Sequence, residues 1–88
     1  YNTQAPKLDV TEPLENQEFQ KDQKEISIKG TTIPTATLYI NDRFVSIKND
    51  GSFSFTLLLS EGENKLQFVV KDTAGNETKL ERKVTYSP

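Results

Sequence analysis

Two runs of alternating apolar residues dominate the chain: Phe53, Phe55, Leu57 and Leu59 in the first, Leu66, Phe68 and Val70 in the second. Alternation at period two places one face of a strand on a core and the other in water. Gly51, Gly62 and Gly75 punctuate the runs, each inside a cluster of turn-forming residues, which predicts a β-hairpin made of residues 53–59 and 66–70. A hairpin that is apolar on one side needs a second layer of sheet to cover it, and the rest of the chain is available to supply that layer.

The same period recurs elsewhere. Leu8 and Val10 share a face in K-L-D-V-T-E, a short edge strand that Pro13 stops. Ile26 and Ile28 face inward in E-I-S-I-K, Gly30 ends that strand, and Pro34 fixes a turn. Ala36, Leu38 and Ile40 then share a face, with Tyr39 opposite. Asn41 and Asp42 both tolerate positive φ and form a tight turn, after which Val45 and Ile47 return inward and leave Phe44 outside. In residues 14–24 only Leu14 and Phe19 are apolar, so this segment reads as a surface loop pinned by Phe19, with a turn of helix as the alternative. The last strand, residues 77–86, has Leu80, Val84 and Tyr86 on one parity, with Arg82 in the same row. An arginine there predicts a bulge, or an open lip of the sandwich with the guanidinium in solvent.

Seven strands and no helical period predict an all-β, seven-stranded antiparallel sandwich. Its core is predicted to hold Ile26, Ile28, Leu38, Ile40, Val45, Phe53, Phe55, Leu57, Leu66, Phe68, Val70 and Val84. An odd number of reversing strands leaves the two termini at opposite ends. Residues 1–6 and 87–88 are polar, proline-terminated segments, so the chain reads as one domain, residues 7–86, cut with its linkers from something longer.

Composition narrows the partners. Net charge is −2, which provides no field for nucleic acid or anionic lipid. The absence of cysteine removes disulfide frameworks and thiolate metal sites. No apolar run approaches the ~20 residues that span a bilayer. A domain of 88 residues buries only about 60–65% of its unfolded surface, so the core is thin.

Candidate chemistry is sparse. With no histidine or cysteine, and no nucleophile and base in recognisable company, the chain is expected not to be an enzyme. Glu61 and Glu63 flank a turn glycine, and no cleft is implied between them. Tyr39 and Phe44, with Tyr86 as a third candidate, are the residues from which an exposed aromatic platform for a glycan would be built; isolated exposed aromatics are ordinary and the chain has no tryptophan, so cross-strand packing on an outer sheet face is the favoured account of them. Alternating strand directions bring the turns at residues 49–51 and 72–76 to the same end as the N-terminal segment. Asp50, Asp72 and Asn76 then gather where calcium would find an incomplete oxygen shell, although turn capping explains each of them as well. No other cofactor is implied, and the chain is expected to be a monomer.

Five ordered motifs carry a resemblance: P-K-L-D-V-T-E-P, I-S-I-K-G-T-T-I-P-T-A-T-L-Y-I-N-D, V-S-I-K-N-D-G-S-F-S-F, L-S-E-G-E-N-K-L-Q-F and V-K-D-T-A-G-N. Together they resemble the bacterial immunoglobulin-like domains of secreted and wall-attached proteins, specifically the glucodextranase B-like type. Asp42 stands where many members have glycine after asparagine, and Thr35 where glycine often follows the proline. The resemblance implies an immunoglobulin-like fold and an extracellular or cell-surface location in a bacterium. It also implies a non-catalytic spacer or interaction module whose partners are its neighbouring domains, or else an accessory carbohydrate-binding module meeting cell-wall or extracellular glycan. Some wall-attached sandwich domains that this chain broadly resembles carry a Lys–Asn isopeptide bond, which needs a buried lysine; every lysine here falls at a polar-face or turn position.

Overall fold

Gly30 does not end its strand. A side-chain carbon at this position would lie 2.3 Å from the Asp9 carbonyl oxygen and 2.7 Å from the Phe53 ring, so glycine is what lets the strand run on beneath that ring. In the computed structural model, which describes residues 4–88, the strands are β1 (Leu8–Glu12), β2 (Gln17–Gln20), β3 (Glu25–Thr32), β4 (Thr37–Ile40), β5 (Arg43–Val45), β6 (Ser52–Leu58), β7 (Gly62–Lys71) and β8 (Glu77–Ser87). One sheet has the order β1-β3-β6 and the other β2-β8-β7-β4-β5. They face each other as an all-β, immunoglobulin-like sandwich.

Three expectations are corrected by this topology. First, residues 53–59 and 66–70 do not form a hairpin. β6 pairs with β3, β7 pairs with β4 and β8, and the two lie in different sheets. Their apolar faces meet across the core, which buries the same side chains that pairing side by side would have buried. Second, the described residues form eight strands, because β2 lies in what reads as a loop. β2 is parallel to β8, with Gln17 opposite Val84 and Gln20 opposite Ser87, so the sandwich is not wholly antiparallel. Third, Arg82 is neither at a bulge nor in solvent. The β7–β8 register is unbroken from Gly62↔Tyr86 to Lys71↔Glu77, and the Arg82 side chain points inward.

The extra strand leaves the ends of the sandwich apart. Thr78 Oγ1 donates to the Pro6 carbonyl, which sets the start of β1 beside the start of β8, while Gln20 lies opposite Ser87 at the other end. β1 and β2 therefore run in the same direction, as one strand course that changes sheets between residues 12 and 17. Pro13 has no N–H to continue the ladder with β3. Arg82 Nη1 reaches across to the change-over and donates to the Val10 carbonyl at 2.6 Å and the Pro13 carbonyl at 3.0 Å. Pro6, at the end of the expected linker, is buried.

The core comprises Val10, Ile26, Ile28, Leu38, Ile40, Val45, Phe53, Leu59, Leu66, Phe68, Val70, Val84 and Tyr86. Phe55 and Leu57, expected inside, are only partly buried, because they lie on the edge strand β6 opposite β5, which is three residues long.

Candidate functional site

The β4–β5 hairpin is built by Asn41 and Asp42, at φ 51° and 65°, the left-handed pair that a two-residue hairpin turn requires. Asn41 ties the turn to β7, since its N–H donates to the Gln67 carbonyl and its Oδ1 accepts the Gln67 N–H, each at 2.9 Å. This register puts Tyr39 directly opposite Phe44 on one side and Val69 on the other, with Lys79 beyond Val69. The aromatic pair is exposed, Tyr39 by 41% and Phe44 by 66%. The rings meet edge to face, with centroids 6.2 Å apart and planes inclined by 72°. They are contiguous but offer no common flat face for a sugar ring to stack on. Tyr86 does not join them: it is buried, and its hydroxyl donates to the Lys21 carbonyl.

The three residues suggested for calcium lie in turns at the N-terminal end of the sandwich, where each has protein partners. Asp50 Oδ1 accepts from Ser52 N at 3.0 Å and Ser52 Oγ at 2.7 Å. The Ser52 hydroxyl, followed by the Ser52 N–H, holds the Asp50 carboxyl below its ordinary pKa. Asp72 Oδ1 accepts the N–H groups of Ala74 at 3.0 Å and Asn76 at 2.8 Å, while Oδ2 accepts from Asn76 Nδ2 at 3.0 Å. The Asn76 side chain is the first cause of a lowered Asp72 pKa; desolvation opposes it, and the backbone amides reinforce it. The structure thus joins Asp72 with Asn76, while Asp50 keeps its partners within its own turn. Among the described residues no three His, Cys, Asp or Glu side chains gather as a metal site. All nine lysines are exposed, so the buried lysine that an isopeptide bond needs is missing.

Where the chain changes sheets, an open cleft of about 700 Å³ separates β1 from β2, with Glu12, Leu14, Gln17, Phe19, Asp22 and Glu25 among its lining. Its cause is the separation of the β1 and β2 edges. The only signals in the sequence are Leu14, which is 65% exposed, and the glutamine and glutamate residues around Phe19.

The family model described as glucodextranase, domain B, matches residues 6–87. Among solved structures, the fibronectin(III)-like modules of Clostridium thermocellum CbhA superpose with a TM-score of 0.64 at 16% identity, covering 92% of this chain and 96% of that one. A Bacteroides ovatus protein, SGBP-B of a mixed-linkage glucan utilization locus, solved in complex with a mixed-linkage heptasaccharide, gives a TM-score of 0.58 at 22% identity. That match covers 98% of this chain, which spans 25% of the Bacteroides protein. No curated protein matches the chain.

Proposed function

Because the chain belongs to the glucodextranase domain B family, we propose that it serves as a non-catalytic spacer or interaction module within an extracellular, glycan-active bacterial protein. The observation that carries this reading is the separation of the ends. The chain enters beside Thr78 and leaves beside Gln20, on a body measuring 49 × 21 × 19 Å. Long strands such as β7 and β8, of ten and eleven residues, make the body stiff along its length, so it sets distance and orientation between the domains on either side.

The competing role is an accessory carbohydrate-binding module using Tyr39 and Phe44, whose exposure favours it and whose edge-to-face geometry opposes it. A glycan array and a panel of glucan hydrolysis assays on the 88-residue chain separate the two. The spacer reading expects no turnover and no binding, whereas micromolar binding lost in Tyr39→Ala replaces it with the carbohydrate-binding role. Thermal melts with calcium and with chelator address Asp50, Asp72 and Asn76. Turn capping alone expects superimposable curves, while a bound ion at a hundred times its dissociation constant adds ~2.7 kcal/mol.

A further inference from the structure

β6 is an edge of the three-stranded sheet, and the hydrogen-bond register identifies its unused backbone groups. Thr32 N–H donates to the Gly51 carbonyl at one end of the β3–β6 ladder, and Leu59 N–H donates to the Lys24 carbonyl at the other. The odd-numbered residues between them therefore turn their N–H and C=O groups toward β3. Even-numbered residues turn theirs outward. Of these, Ser52 has its carbonyl taken by the Lys48 N–H, which leaves Ser54, Thr56 and Leu58 as a row of open donors and acceptors. Phe55 and Leu57 are half-buried along the same edge, and Leu58 is 64% exposed.

The other three edges are blunted. β1 carries Asp9 and Glu12, lies between Pro6 and Pro13, and has its Val10 carbonyl occupied by Arg82. β2 has four residues, including Glu18, and runs into Lys21 and Asp22; β5 has three and begins with Arg43. These are the devices by which sheets discourage edge pairing. Residues 51–60, G-S-F-S-F-T-L-L-L-S, have none of them: no charge, no proline and no lysine.

We propose that β6 pairs antiparallel with the β6 strand of a second copy of this chain, joining two three-stranded sheets into one across a two-fold axis. With Thr56 opposite its own mate, Ser54 faces Leu58 of the second copy and the open N–H and C=O groups close on one another. Phe55 then meets Leu57 of the second copy on the inner side, covering apolar surface that β5 leaves open. The absence of charge favours a copy of itself as the occupant, because a two-fold axis sets each strand against its own sequence and any like charges would repel. So short an edge buries less than the roughly 1,200 Å² of a stable interface. The pairing is therefore weak, and the expected monomer is the dilute state.

The test compares amide hydrogen exchange and sedimentation of the 88-residue chain at roughly 20 μM and roughly 1 mM, concentrations that bracket a weak self-association. The Ser54, Thr56 and Leu58 amides are expected to exchange at least about tenfold more slowly in the concentrated sample, with mass rising toward the dimer. Thr56→Lys, and Ser54→Lys as a second exposed position, abolish both effects while keeping the melting temperature of the dilute protein. A monomer mass at the higher concentration, unchanged exchange at these three amides, or association that survives in a folded lysine variant overturns the proposal.

Discussion

Gly30 and Phe53 form one packing unit: they are cross-strand partners in the β3–β6 ladder, and the ring occupies the space a side chain at residue 30 would need. Because the Asp9 carbonyl closes the same space at 2.3 Å, neither neighbour yields cheaply. Gly30→Ala is expected to cost roughly 1–3 kcal/mol or more by overpacking, read as a lower denaturant midpoint at constant slope. Core truncations should separate by burial. Phe68, 1% exposed, loses ~3–5 kcal/mol on substitution by alanine, a large share of the stability of a small domain. Phe55→Ala costs clearly less, because its ring is only partly buried; equal losses in chemical denaturation would contradict the edge position of β6.

At the scale of elements, two turns do most to define pairing. In the β4–β5 turn, Asp42 sits at φ 65°, a conformation that favours glycine. Asp42→Gly should therefore raise stability by roughly 0.5 kcal/mol, visible as a higher melting temperature. The β7–β8 turn is organised by the Asp72 carboxylate, which accepts hydrogen bonds from Ala74 and Asn76. Its folded pKa is lowered, so its stabilising contribution is complete above the unfolded carboxyl pKa of about 4 and is lost as pH falls through the lower folded value. Acid titration of stability should show a shallower decline below about pH 4 in Asp72→Asn than in the parent chain. A decline of the same steepness in both would place the acid sensitivity elsewhere.

For the whole molecule, the change of sheet between β1 and β2 decides the outline: it creates the cleft and puts entry and exit at opposite ends. Arg82 spans the two sheets at that point through Val10 and Pro13. Arg82→Met keeps the apolar stem but removes a charged donor, leaving both carbonyls without that partner. The expected loss is about 1–3 kcal/mol, with faster amide exchange concentrated in β1 rather than spread over the sandwich. A uniform increase would mean that Arg82 contributes to general stability and does not tie the sheets together.

The sequence by itself determined which faces are buried and where the chain turns. Alternation of Ile26 with Ile28, Leu38 with Ile40, and Leu66 with Phe68 and Val70 is a local property, and burying one side of a strand is its direct physical result. Asn41–Asp42, Gly51 and Gly75 were legible for the same reason, because positive φ selects residue types locally. Tertiary structure alone decided which strands pair. Residues 53–59 and 66–70 bury the same faces whether they share a sheet or oppose each other, so only contacts distant in sequence distinguish the two arrangements. β2 has a single strong apolar residue, Phe19, and exists through backbone bonds to β8. The inward turn of Arg82 depends on carbonyls that lie about seventy residues earlier in the chain, and the glycine at residue 30 is required by a ring on β6 and a carbonyl on β1 that come together only in the folded sandwich.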